Sequence, residues 1–519
     1  MTRGIFLFLL LSVPFSPCRA ADGAKQWIAV VAPELRETLK PLEEQRKAEG
    51  WTVTVLTAEA DIQKTRPRIA ELAADPGPVC VLLAGDFAPE AGGFGVPAGK
   101  GTQLRMAGKL SDAPWNVIDG KPGRVVETGR LPARNAGEAA VMVRKILDWP
   151  RESAAAGPFP VARLVAGHHG AAGPFSGMAD SLTNNLAGRL ISRLPAAWEL
   201  QAAVHIDGSP WQVSGNDLKA AAGRMMTSPS TLLAYMGHSA PESPVSKTMS
   251  LLGLGEWRAL KPGPPRTGLF FSCGCFTTEL DPKAESFGFA AMRAPGGAAA
   301  VIGSHGETFA AFGYLAMCGL VNALDAETPP SRLGQLWHGT REGLAKEEIS
   351  SAEFAMLDMS DGTGGRVPLA AQRLEHLESW MLLGDPAMPL LPPAPAIKLT
   401  VSGEPAAGGM LTVSGTLPAS AAASLTGSGL ALRVTFERQP GTVRQDLPEV
   451  PETGDARLTA ARERRQLSEN VVLAAGEVKA EKGAFTTSLQ LPSPLPGGPW
   501  AVRVSPAQGL GPAGVLKLP

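Results

Sequence analysis

Residues 26–56 read QWIAVVAPELRETLKPLEEQRKAEGWTVTVL. A continuous apolar run of strand length comes first, then a segment with helical spacing that closes on Gly50, then a second strand. A strand that is apolar on both faces needs cover on both faces, and strand–helix–strand alternation supplies it as a parallel sheet between two helical layers. The rhythm continues with VCVLLAGD at 79–86, then VARLVAG at 161–167, STLLAYMGH at 230–238, TGLFFSCGC at 267–275 and GAAAVIGSHG at 297–306. SFGFAAMRAPGG supplies a helix between the last two. Between the two sets lies a helix from about Ala136 to Trp149, followed by a connection rich in Pro and Gly.

After WMLLGDPAMPLLPPAPA the texture changes. From about Ile397 short stretches alternate (IKLTVSG, GMLTVSGTL, LALRVTFE, GAFTTSLQL, PWAVRVSP), broken by Gly, Pro and Ser. This predicts a small antiparallel β-sandwich of immunoglobulin-like type, with a boundary near residue 395. The charged run DLPEVPETGDARLTAARERRQ inside it reads as a long solvated loop.

The chain has 519 residues, 44% hydrophobic and 19% charged, with a formal net charge of -1. That is room for several globular domains. The absence of a Lys/Arg cluster argues against nucleic acid as a partner, because phosphate contacts need a basic face. The N-terminus MTRGIFLFLLLSVPFSPCRAADG has Arg3, an apolar stretch from Ile5 and small residues at Ala20 and Ala21, the pattern of a secretory signal peptide over 1–21. Its apolar run is about 11 residues where a membrane span needs roughly 20. The expectation is an exported protein, secreted, periplasmic or at the cell surface, with no span once the signal is cut.

Without Cys18 the mature chain keeps Cys80, Cys273, Cys275 and Cys318, too few for a disulfide scaffold. Cys80 and Cys318 sit in apolar stretches as core residues do. Cys273 and Cys275 stand one residue apart at the end of a strand. A disulfide between them would close a strained ring, and a zinc half-site lacks nearby partners. GHHG at 167–170 likewise lacks acidic neighbours and reads as a polar loop, so no metal or cofactor is expected.

STLLAYMGHSAPES ends a buried strand in Gly237-His238-Ser239, and about 37 residues later LFFSCGC ends another. In an open parallel sheet, functional side chains gather beyond the carboxyl ends of the strands. Two successive strands ending in His and Cys can therefore present an imidazole and a thiol to one cleft, the equipment for attack on a carbonyl carbon.

Here the chain resembles the gingipain-type cysteine peptidases, relatives of the caspases with a caspase-like α/β fold. The likeness rests on Gly237-His238 followed by a cysteine after the next strand, and on WIAVVAPELRETLKPLEEQRKAEGWTVTVL, VLLAGD, SDAPWNVIDG, GRLPARNAGEAAVMVRKIL, APGGAAAVIGS and WMLLGDPAMPL. Together they span about residues 26–391 in the family's order. The resemblance implies a gingipain-like unit with an N-terminal α/β subdomain at 24–157 and a catalytic one at 158–395, followed by the sandwich at 396–519.

Laid on the family's pattern, Gly274 is the small residue before the nucleophile and Cys275 the nucleophile, with Cys273 as the alternative. The resemblance further implies His238 as proton carrier and the backbone N–H groups of Ser239 and Cys275 as the oxyanion hole. The family usually has Gly at the position of Ser239, and glycine is also common where Thr278 stands. Asp112 falls where basic-specific members carry an acidic pocket residue, against the plainer reading of a turn or helix-cap aspartate. His305, with Glu307, is a second candidate for the cleft. Two functions stay open: an exported cysteine endopeptidase acting on proteins or peptides, and a non-catalytic relative serving as a binding or assembly module. Oligomeric state is not legible.

Overall fold

The computed structural model describes residues 24–74, 77–87, 94–116, 126–168, 176–326, 328–390, 397–419, 421, 429–439, 447–451, 455–508 and 511–519. The export signal read at 1–21 lies outside these residues. Ten strands form one sheet: β1 (Gln26–Val31), β2 (Thr52–Thr57), β3 (Val79–Ala84), β4 (Glu127–Leu131), β5 (Val161–Ala166), β6 (Glu199–Val204), β7 (Ser230–Met236), β8 (Thr267–Ser272), β9 (Ala298–Ser304) and β10 (Trp380–Leu383). Their spatial order is β2-β1-β3-β4-β10-β9-β8-β7-β5-β6. Every neighbouring pair is parallel except β9 with β10. The sheet thus consists of two parallel halves running in opposite directions, joined where β10 slots between β4 and β9. The carboxyl ends of β9, β8, β7, β5 and β6 all lie along one edge. Three of these strands were not read from sequence: β4, β6 and the four-residue β10.

Helices α1 (Arg36–Ala48), α2 (Ala136–Ala156), α3 (Phe287–Arg293), α4 (Ala310–Leu324), α5 (Ser351–Asp361) and α6 (Leu369–Ser379) accompany the sheet. β1 and β3 are buried along their whole length, as their unbroken apolar runs require. α1 turns into β2 at Gly50, whose φ of 82° lies in the left-handed region that glycine tolerates. Lys145 on α2 is wholly buried and donates to the carbonyls of Met292, Ala294 and Ala298 at 2.6, 3.0 and 2.7 Å, tying α2 to the end of α3 and the start of β9. Burial pulls its pKa down to about 7, while three carbonyl oxygens around one nitrogen favour the charged ammonium.

Asp385, immediately past β10, ties the end of that strand to β1 and α1. Its carboxylate accepts from Trp27 Nε1 at 3.1 Å, Arg46 Nε at 2.9 Å and the Ala387 amide at 2.9 Å, and it is fully buried. Truncating one member of a buried, hydrogen-bonded ion pair strands its partner in low dielectric. Asp385→Ala is expected to lower the unfolding free energy in urea by about 3–5 kcal/mol, and an unchanged urea midpoint would rule out Asp385 as a stabilising tie.

The C-terminal strands are β11 (Lys398–Ser402), β12 (Met410–Thr416), β13 (Leu430–Arg438), β14 (Val472–Ala480), β15 (Ala484–Gln490), β16 (Trp500–Pro506) and β17 (Gly514–Leu518). They make two antiparallel sheets, β11-β12-β15 and β14-β13-β16-β17, around one core that includes Val413, Phe436, Leu489 and Val502. This is a β-sandwich.

The charged run read as a solvated loop is corrected. It contains a helix, α7 (Asp455–Glu469), rich in Ala, Arg and Glu. Its partner is the edge strand β6, whose outer row of N–H groups needs cover. Glu469 accepts from the Ala202 amide of β6 at 3.3 Å, Arg462 pairs with Asp217 at 2.9 Å, and Arg457 pairs with Asp207. Arg503 of β16 adds a 2.6 Å bond to the Trp198 carbonyl, so the sandwich is docked on the α/β unit.

Candidate active site

β7 and β8 are adjacent and parallel, and Tyr235 pairs with Ser272 at their ends. His238 and Cys275 each lie three residues beyond that pair. The two residues singled out from sequence therefore follow adjacent strand ends at the same level of the sheet. Gly237 begins the histidine turn at a φ of 146°, and a Cβ there would stand 2.7 Å from the Tyr235 hydroxyl. The buried Tyr235 hydroxyl lies 2.6 Å from the His238 carbonyl and 2.8 Å from that of Val245, pinning this turn to the strand that follows.

The Cys275 thiol meets the start of α4. Thr308 N–H donates to Sγ at 3.3 Å and Phe309 N–H to His376 Nε2 at 3.3 Å, while Ala310 N–H donates to the Asp361 carboxylate. Three successive amides from the N-terminal approach to a helix thus serve a thiol, an imidazole and a carboxylate. Such amides lack intrahelical partners, and the helix end favours negative charge. The Thr308 amide and Arg105 pull the thiol pKa down, but burial, Asp361 and Glu307 outweigh them and hold it above its ordinary value. The resting group is a thiol, and a base must take its proton before it attacks.

His238 acts on Asp361 at the end of α5, whose carboxyl is pushed up by burial and pulled back down by the imidazole. Asp361 was missed in the sequence, because an Asp-Gly pair at the end of a helical segment reads as punctuation. Arg105 lies over the Phe309 ring and is held by Glu375 at 2.7 Å and Glu307 at 2.5 Å.

Cys273 lies deeper than Cys275. It is buried, its Sγ donates to the Gly313 carbonyl at 3.2 Å, and burial together with the nearby Cys318 pushes its pKa well up. Cys80, Cys273, Cys275 and Cys318 are all free thiols. Ser239 is not among the residues with positive φ, so serine fits where the family's glycine usually stands without left-handed strain.

Two candidates are corrected. Asp112 is buried, and both its oxygens are taken by Arg130, at 2.7 Å from Nε and 2.6 Å from Nη2. Arg130 also donates to the carbonyls of Gly85 and Val96, a closed network that leaves Asp112 no free charge for a substrate cation. His305 is buried too, with Nε2 bonded to the Glu378 carbonyl at 2.9 Å. It packs under the site instead of lining it, whereas its neighbour Glu307 is exposed. In GHHG, His168 N–H is bonded to Ser246 Oγ, and His169 and Gly170 lie outside the described residues. Among the described residues no group of three or more His, Cys, Asp or Glu could hold a metal ion, and no helix is long and apolar enough to cross a membrane.

Comparison with known families decides the assignment: the description of peptidase family C25 matches residues 20–391, which include both strand ends, α4 and α5. The chain belongs to peptidase family C25. C25 chains are gingipain-type cysteine peptidases, and their substrates are proteins. Among solved structures, this C25 chain is similar to the Arg specific cysteine proteinase gingipain R (RGPB), with a TM-score of 0.54 and 13% identity over 97% of this chain and 99% of that one. It is also similar to a complex of the pro- and mature domains of RgpB from Porphyromonas gingivalis, with a TM-score of 0.52 and 13% identity over 95% and 99% of the respective chains. At that identity the likeness speaks for the fold. A search of curated proteins finds no match.

Proposed function

We propose that this C25 chain is an exported cysteine endopeptidase that works through a Cys275/His238 dyad and prefers a basic residue before the scissile bond. The observation that carries the reading is the joint exit of β7 and β8, with the half-buried thiol under the Thr308 amide. His238 takes the thiol proton as Sγ attacks the peptide carbonyl carbon. The carbonyl electrons move to oxygen, where the backbone N–H groups of Ser239 and Cys275 hold the charge. As the C–N bond breaks, His238 returns the proton to the leaving amine. Water, deprotonated by His238, then hydrolyses the thioester and restores the thiol. Asp361 favours the imidazolium formed on the way.

A basic preference follows from the charges around the thiol. Asp361 and Glu307 both act on it, while Arg105, a cation that acts on it, is already engaged by Glu375 and Glu307. Asp361→Asn is expected to lower kcat/KM on an Arg fluorogenic peptide by roughly 10- to 100-fold, one to two steps of about 1.4 kcal/mol, and by less on a Leu peptide. Equal losses on both would assign Asp361 to His238 alone. Export rests on Arg3, the apolar run from Ile5 and the small residues at Ala20 and Ala21.

The second reading, a non-catalytic binding module, is favoured by the raised pKa of Cys275. Labelling with a basic acyloxymethyl ketone, mapped by mass spectrometry, separates the two. Modification at Cys275 that disappears in His238→Ala supports the peptidase. No modification by basic, acidic or apolar ketones supports the module.

A further inference from the structure

The position after the histidine is where this chain departs from its family's usual glycine, and the side chain it gains there is engaged. Ser239 Oγ donates to the Cys275 carbonyl at 2.5 Å. The contact exists because residue 274 has no side chain: a Cβ on Gly274 would stand 2.0 Å from Ser239 Oγ. On the other side of the same peptide, the Phe276 amide donates to the Gly306 carbonyl at 2.9 Å. The Cys275–Phe276 peptide is therefore gripped at both ends, by the histidine turn through its oxygen and by the β9–α4 connection through its nitrogen.

Between these grips Phe276 adopts a φ of 52°, the left-handed region that a bulky side chain avoids. Such a conformation persists only where its surroundings over-determine it. The loop that supplies Gly306 also supplies the Thr308 amide at Sγ. Further bonds lie to either side of this peptide group: Thr277 Oγ1 donates to the Gly274 carbonyl at 3.0 Å, the Thr278 amide to the Ser304 carbonyl at 3.0 Å and the Glu279 amide to the Phe276 carbonyl at 3.3 Å. The Ser239 bond thus holds the oxygen side of the peptide that follows the thiol met by the Thr308 amide.

We propose that the Ser239 hydroxyl is a positioning clamp for the nucleophile, holding the Cys275–Phe276 peptide in its left-handed turn and thereby fixing Sγ between the histidine turn and the start of α4. This rests on the reading of Cys275 and His238 as the dyad. Ser239 acts here through its side chain, separately from the amide assigned to the oxyanion.

Ser239→Ala keeps the backbone amide and deletes only the hydroxyl. On the full chain, hydrogen exchange at the Phe276 amide is expected to speed up roughly 2- to 10-fold, the scale of one lost hydrogen bond. Inactivation by the basic acyloxymethyl ketone is expected to slow by a similar factor, and Ser239→Thr should recover both by restoring a hydroxyl. Exchange and inactivation in Ser239→Ala matching wild type would overturn the clamp. If wild type reacts with no ketone, the peptidase reading falls while the exchange comparison still decides the clamp: faster exchange upholds it, unchanged exchange removes it.

Discussion

Peptide hydrolysis is expected to fall by at least about 10³-fold in Cys275→Ala, and by about 10²–10⁴-fold in His238→Ala, with kcat/KM on a fluorogenic Arg peptide as the readout. Alanine at 275 leaves no atom to form the thioester. Alanine at 238 leaves a thiol whose pKa is raised by burial, Asp361 and Glu307, with no base beside it. Because the two groups act as a unit, the double variant should be little worse than Cys275→Ala alone. Cys273→Ala should retain activity, since that thiol is spent on the Gly313 carbonyl in the core. Loss in Cys273→Ala with survival in Cys275→Ala would move the nucleophile. The raised thiol has its own signature. Alkylation of Cys275 by iodoacetamide should keep climbing as pH rises through 9, because the thiolate fraction keeps growing.

What was legible in the sequence follows from how local each cause is. β1, β3, β7, β8 and β9 announce themselves because a strand buried on both faces must be apolar throughout, and their own residues say so. β4 carries Arg130 and Gly129, β6 begins with exposed Glu199, and β10 follows directly on α6, so none shows a bounded apolar run. α7 was misread because the groups that settle it, Asp207 and Asp217, lie some 250 residues earlier in the chain.

The site divides in the same way. His238 and Cys275, the proposed dyad, stand just beyond strand ends, a position that the sequence itself makes visible. Thr308 and Asp361 come to the thiol through the packing of α5 on α4 and of α4 on the turn after β8, and no spacing encodes that. Asp112 misled for the opposite reason. Its partner Arg130 is only 18 residues away, but the pair forms through burial at the end of β4, which a turn-like SDAPW does not reveal.

Acidification from pH 7 toward 4 is expected to remove several kcal/mol of stability, and the cause lies beneath the Cys275 turn. His376 is fully buried and stacked on Phe312 at 4.0 Å, with Nδ1 at 2.7 Å from the Gln372 carbonyl. Nε2 accepts from the Phe309 amide, so the neutral ring has both nitrogens satisfied, and a second ring proton would point at an N–H donor. Burial, opposed by the Gln372 carbonyl and Glu375 and reinforced by Arg105, pulls its pKa to about 4. His305 is likewise pulled by burial to about 4, against the Glu378 carbonyl, Asp112 and Glu378, with Lys109 on the lowering side. In the unfolded chain each returns to near 6.5. Below that value the unfolded state binds protons that the fold refuses, so stability is complete above pH 6.5 and lost as pH falls toward 4. Each ring contributes on the order of 3 kcal/mol across that window. Urea unfolding at pH 7 and pH 4.5 should show the loss, and His376→Phe, which keeps the stack and cannot titrate, should remove roughly half of the pH dependence. A midpoint that does not move between the two pH values would mean that these imidazoles are accessible to protons in the fold. The same acid step should weaken activity before global unfolding, because the amide next to the one on His376 is the Thr308 donor to Cys275.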